Sequence, residues 1–457
     1  MAMMPEKQFD PQHHYTVEEL KNLHLHAMMS PIDSGEYFLT PGNCKGCHGF
    51  DSLGVANVDE NGNDLNLYDD WETSMMGLSG VDPLWKAKVS HEIITNPAHS
   101  NELQTFCTSC HAPMGHYSAI YKGFPHYLLA NLDTDALGKA GVACMGCHSI
   151  GDSLLGSLFS GTIPYDTNRF IYGPYDSVMQ GPMQLYVGLT PVFGAHMSES
   201  RLCSSCHTLI SNTVDTSGIP TGGTFVEQAT FHEWENSVYP IQQTICQTCH
   251  MPQSQDAIVI ANGIVNLPGR TPFNKHVFAG ANSFMVNLIK TNKTSLGVLA
   301  NDVNFDSTLV AINTQLTQNT LTVKAHTDTV LNDTASFSIT LTNKAGHKFP
   351  TGYPSRRAVL QLIVTKANGD TLFASGLFDS TQEVINITSP FEAHHDIINS
   401  DTQAQIYEMI MGDVNGNKTT VLERSASSLK DNRIPPAGFT TTYSTYDTCK
   451  IDRKSVG

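Results

Sequence analysis

The chain has 457 residues, room for two or three domains, and sets 26 Lys and Arg against 43 Asp and Glu for a formal net charge of −17. That balance argues against nucleic acid as a partner and serves solubility. No apolar run approaches the length of a membrane span.

In chain order, the opening MAMMPEKQFD lacks a charged start followed by an apolar core. A helix is predicted over TVEELKNLHLHAMM. Thr16 and Glu19 form a capping box there, and Val17, Leu20, His24, Ala27 and Met28 share one face, so His24 points inward. The segment PGNCKGCHGF follows, with Cys44, Cys47 and His48 in a C-x-x-C-H pattern. A second helix is predicted over DPLWKAKVSHEII, with Asp82 as cap and Pro83 in the first turn. Leu84, Ala87, His91 and Ile94 form its stripe, and His91 faces whatever that helix covers.

The same pattern returns as CTSCH (Cys107, Cys110, His111), CMGCH (Cys144, Cys147, His148), CSSCH (Cys203, Cys206, His207) and CQTCH (Cys246, Cys249, His250). Between these sites Gly, Pro, Asn and Ser interrupt the chain every few residues, as in SGTIPYDTNRFIYGPYDS, so regular structure is expected to be sparse. From about residue 295 the texture changes to Thr- and Val-rich alternation in NTLTVKAHTDTV, TASFSITLTN, RAVLQLIVTKANGDTLFASGLF and TTTYSTY, which read as strands. Asn368-Gly369 marks a hairpin tip. The predicted division is 1–295, loop-rich with short helices packed around cofactors, and 296–457, all-β and sandwich-like.

Ten of the eleven cysteines lie in the five C-x-x-C-H sites, so a disulfide framework has almost nothing to work with. A zinc ribbon would not require a histidine after each pair. The pattern reads as c-type haem attachment, five haem c groups in all. The thiols form thioethers, and His48, His111, His148, His207 and His250 are the proximal iron ligands. Five haems also supply the apolar surface around which a loop-rich chain can bury a core. Covalent haem attachment takes place outside the cytoplasmic membrane, so an exported chain is expected, and the numbering is expected to begin on a processed or truncated chain.

A sixth iron position decides between electron carrier and enzyme, because a second imidazole closes the iron and an open position admits a small molecule. Fifteen histidines lie outside the motifs. Ranked by context, the candidate distal ligands are His24, His91, His116, His196, His276 and His347. His126, His394 and His395 follow, and Met28, Met29 and Met114 are alternatives. The eleventh cysteine, Cys449, is either free, paired between chains, or an inert buried thiol.

At GHKFPTGYPSRRAVLQL, HMSESRLCSSCHTL, WENSVYPIQQTICQTCHMP, QIYEMIMGDVNGN and DNRIPPAGF the sequence resembles exported multihaem c-type cytochromes related to the cytochrome c-554 group. The resemblance runs from about residue 24 to 440. It implies a haem-packed N-terminal region and a β-rich C-terminal part, with His347 and His196 as distal ligands. It also implies a place near extracellular cytochromes that polymerise into filaments. Five sites and a longer C-terminal region depart from the four-haem pattern. The expected function is electron transfer, at the cell surface, extracellular or alternatively periplasmic. The expected partners are other redox proteins, extracellular acceptors, or further copies joined head to tail. The alternative is a reductase or oxidase of a small nitrogen or sulfur compound at one open haem. No C-x-x-C-K occurs, which weighs against it.

Overall fold

A computed structural model describes residues 35–451 except 265 and 333. The helix expected around His24 lies outside the described residues. The chain forms two compact units, one of residues 1–206 and 245–318, the other of 207–244 and 319–457. The division is therefore discontinuous, in place of a single boundary at 295/296. The stretch after the fourth motif belongs to the second unit, and all ten motif cysteines belong to the first.

Short helices and turns build the first unit. The helix Pro83–Thr95 starts as expected, with the Asp82 side chain accepting from the Leu84 backbone N–H at 2.9 Å. Its face is turned by one position from the predicted stripe. Trp85, Val89 and Glu92 are buried, whereas Leu84 and Ile94 are 52% and 77% exposed and His91 is exposed with them. Trp85 is the cause: its indole stacks flat on the His111 ring at 4.5 Å and 4°, a larger apolar burial than Leu84 could provide. Glu92 follows it inward with Lys88 as its ion-pair partner.

Later in this unit, the helices Ser283–Leu296 and Asp302–Thr314 pack against each other through Val286, Ile289, Phe305 and Ile312. Gly297 ends the first of them at φ +70°, the left-handed cap that glycine adopts at no steric cost. Asn301 caps the second by accepting from the Asn304 backbone N–H. Thus the first strand of the Thr- and Val-rich region begins only at Leu321.

The second unit holds antiparallel ladders of two strands each. They are Leu209–Val214 with Pro220–Gln228, Leu321–Leu331 with Thr334–Asn343, Ala358–Leu360 with Gln405–Tyr407, Leu362–Thr365 with Thr371–Ser375, and Met409–Gly412 with Ser427–Asp431. Among the described residues no sheet has a third strand, so the expected sandwich is seen as separate ribbons. TTTYSTY is turn rather than strand and leads into the short helix Tyr446–Cys449. The Asn368-Gly369 tip is present, with Gly369 at φ +93° and Lys366 N–H bonded to Asp370 O at 2.8 Å. No helix among the described residues is long and apolar enough to cross a membrane.

Candidate functional site

Each motif winds as helix: Gly42–His48, Ser100–His111, Cys144–His148, Ser204–His207 after a 3-10 turn over Ser200–Cys203, and Cys246–His250. Residues three apart share a helical face, so the two thiols of a motif emerge together with the imidazole beside them. The motifs also converge on one another. The Cys44 thiol is within hydrogen-bonding reach of Cys144, Cys110 of Cys206, and Cys203 of Cys246. Cys147 lies close enough to Cys203 and Cys206 to raise their pKa electrostatically, after hydrogen bonding and burial. Burial pushes the Cys147 thiol itself up to about 12.

Backbone and small side chains set these approaches. Ser79 Oγ donates to His111 O at 2.8 Å and accepts from Val142 N–H at 3.2 Å, tying the second motif to the start of the third. Gly161 sits between the second and fourth, its N–H donating to Ser205 O at 2.8 Å. A Cβ at Gly161 would lie 1.9 Å from Ser109 Oγ and 3.1 Å from Cys110 Sγ, and its φ is +77°, so only glycine fits.

Three motif histidines share one device. His48 Nδ1 lies 2.7 Å from Ile260 O, His148 Nδ1 2.6 Å from Tyr172 O, and His250 Nδ1 2.6 Å from Ala279 O. A carbonyl only accepts, so each Nδ1 carries the proton and each Nε2 keeps its lone pair for a metal. Burial lowers the pKa of all three, holding them neutral, which is the ligating form. His111 packs on Trp85, and His207 is exposed.

The residues fit haem c better than the rival uses of the same thiols. Disulfides across the three touching pairs could use only six of the ten thiols and would give the adjacent imidazoles no task.

The distal candidates divide by geometry. His276 is half-buried with Nδ1 3.0 Å from Asn274 O, and its ring lies 6.3 Å from that of His148 and within 9° of parallel. Burial first, and then His148, press the His276 pKa to about 3. His116 is buried with Nδ1 3.2 Å from Thr108 Oγ1 inside the second motif, and burial lowers it to about 4. His196 is buried with Nε2 2.9 Å from Ile150 O, just beyond the third motif. His347 is half-buried, Nδ1 2.9 Å from Lys348 O.

His91 is corrected from inward to outward and touches Lys88 Nζ at 3.1 Å. His24 lies outside the described residues. His126 is half-buried with Nδ1 3.2 Å from Thr105 Oγ1. His394 and His395 are engaged by side chains of the second unit: His394 Nδ1 by Gln405 at 2.7 Å, His395 Nε2 by Glu392 at 2.5 Å. Met114 is fully buried in the Pro113–Tyr121 helix. Cys449 is 2% exposed and its thiol is raised by burial to about 11, the setting of an unreactive thiol.

The structure adds His232, which sequence reasoning did not rank. It is 4% exposed in the short helix Thr230–Glu235, with Nδ1 3.1 Å from Thr208 Oγ1 directly after the fourth motif. The arrangement parallels that of His116 with Thr108. Its sequence signal was the run Phe231, His232, Glu233, all buried, ahead of the fifth motif.

No family model matches the chain, and no curated relative does. Among solved structures, a penta-haem cytochrome c552 from Thermochromatium tepidum is similar over 81% of this chain and 81% of its own, with a TM-score of 0.49 and 17% identity.

Proposed function

We propose that this chain is an electron-transfer protein working outside the cytoplasm. Five haem c groups are held through Cys44 and Cys47, Cys107 and Cys110, Cys144 and Cys147, Cys203 and Cys206, and Cys246 and Cys249. His48, His111, His148, His207 and His250 are the proximal ligands. The observation that carries this reading is the repeated device at His48, His148 and His250: a neutral imidazole, its Nδ1–H given to a backbone carbonyl, one position after two thiols on a helical turn. Bound haem supplies an iron that gives and accepts single electrons.

The chain's own part is to orient, neutralise and enclose. Backbone carbonyls fix the tautomer, and burial removes the competing proton. His276, His116, His196, His347 and His232 offer second imidazoles, which favours closed irons and electron transfer over chemistry on a small molecule. Periplasmic or extracellular redox proteins and acceptors are the partners, and copies joined head to tail extend the same reading to a filament.

The test is the intact mass of chain matured with a haem-attachment system, followed by magnetic and optical spectra before and after cyanide, nitrite or hydroxylamine. Five haems with low-spin, unresponsive irons support the reading. A high-spin iron that binds the added ligand replaces it with the oxidoreductase alternative. Chain that matures without covalent haem overturns it. Electron microscopy of the same sample separates filament from single molecules.

A further inference from the structure

In the second unit, two candidate iron ligands are each followed in sequence by a charged residue with no solvent exposure. Glu233 follows His232 and Lys348 follows His347, both at 0%. A fully buried carboxylate is costly unless its partners are close and well directed. Those of Glu233 are directed at the other ligand's loop: Oε2 accepts from Lys348 N–H at 3.2 Å and from Thr351 Oγ1 at 2.6 Å. Thr351 Oγ1 also lies 3.0 Å from Thr230 Oγ1, at the start of the helix that carries His232. Glu233 Oε1 is 3.2 Å from Arg433 Nη1 and 3.9 Å from Lys348 Nζ.

The remaining charges close the set. Lys348 Nζ donates to Asp431 Oδ2 and to Lys450 O, both at 2.9 Å. Arg433 grips Asp431 with two bonds, of 2.8 and 2.7 Å. Two carboxylates and two cations thus neutralise each other in the interior. Arg433 and Asp431 could do this without the loop, because they satisfy each other. Glu233 differs in spending one oxygen on a backbone N–H and a hydroxyl of the His347 loop. Asn343 Nδ2, donating to His347 O at 2.8 Å, holds that loop from the opposite end.

We propose that Glu233 is a positioning residue for two candidate iron ligands: it clamps the loop carrying His347 onto the helix carrying His232, and so fixes the two imidazoles relative to each other within the second unit. This rests on the reading of the chain as a haem carrier and assigns Glu233 no bond to iron. The bland alternative is an ion cluster that only closes the fold.

The experiment uses haem-loaded full chain. Glu233→Gln removes the charge, Thr351→Val removes one hydroxyl from the clamp, and Thr351→Ser keeps it. The expected result is an unchanged haem count by mass in all three. Low-spin magnetic resonance signals of at most two irons shift in Glu233→Gln and, in the same direction but less, in Thr351→Val. Thr351→Ser matches the parent. The proposal is overturned if Glu233→Gln and Thr351→Val melt earlier yet leave every low-spin signal where the parent has it. Should Glu233→Gln fail to fold, the Thr351 pair decides alone. A parent chain that carries no covalent haem would sink the haem-carrier reading itself, a failure seen in its mass before any variant is compared.

Discussion

His148 and His276 lie with ring centroids 6.3 Å apart and planes within 9°, each with its Nδ1 on a backbone carbonyl, Tyr172 O for one and Asn274 O for the other. With the proton on each Nδ1, both rings keep an Nε2 lone pair for a metal. On the haem-carrier reading proposed above, His276→Ala should convert one iron from low to high spin and make it bind cyanide, leaving the haem count unchanged. His276→Met should keep that iron low-spin and raise its midpoint potential, since a thioether favours the ferrous state. Magnetic resonance with a redox titration reads both, and an unaltered low-spin count in His276→Ala would refute the pairing.

His91 and His116 make a second comparison. Only His116 is buried, and only its ring reaches a motif residue, Thr108. His91→Ala should be silent in optical and magnetic spectra. His116→Ala should perturb one iron and, through the cavity it leaves, cost about 1–3 kcal/mol of stability. The opposite ranking would restore the inward reading of His91.

Gly161→Ala tests how closely the second and fourth motifs approach. The added methyl would overlap Ser109 Oγ and crowd Cys110 Sγ, and the residue would keep an unfavourable φ of +77°. On the same reading, chain carrying this change should mature with fewer haems than the parent. Peptide mapping should locate the loss at Cys107 and Cys110, and full occupancy there would show that the contact can relax.

Stability of the first unit can be probed away from any motif. Phe305 is fully buried between the helices Ser283–Leu296 and Asp302–Thr314. Phe305→Ala should cost about 3–5 kcal/mol, read as a lower unfolding midpoint. A change under about 1 kcal/mol would mean the helix pair collapses onto the gap.

Asp431 gives a pH dependence with a definite sign. Burial raises its pKa, but Arg433 and Lys348 outweigh that and hold it down to about 2 from the ordinary 3.8. A depressed carboxylate stabilises the fold above its unfolded pKa and loses that contribution as pH falls through the folded value. About 2 kcal/mol should thus be lost between roughly pH 4 and pH 2. Asp431→Asn should flatten this slope and lower stability at neutral pH by about 3–5 kcal/mol, because two buried cations lose their carboxylate. Denaturant unfolding at several pH values is the measurement, and equal acid slopes in parent and variant would reject the assignment.

The cysteine motifs, the Asp82 cap and the Gly369 tip were legible because each is a local pattern that fixes its own geometry. Which face of Pro83–Thr95 is buried was not, because one stacking contact between Trp85 and His111 overrides the periodicity of Leu84 and Ile94. His232 was missed for a related reason: a six-residue helix has too few turns to display a face, and the ring's contact is to Thr208, 24 positions earlier. Strand segments were found at Leu321–Leu331 and Thr334–Asn343, but pairing beyond the hairpin depends on long-range partners that alternation does not encode.

The discontinuity of the first unit bears on the order of events during synthesis. His48 is held by Ile260, 212 positions later, and Cys47 O accepts from Asn262 N–H in the same returning segment. The first motif to be made is therefore among the last to be locked. Neither contact can form before residues 260–262 have been made, so fragments ending before that segment should release His48 from its fixed tautomer.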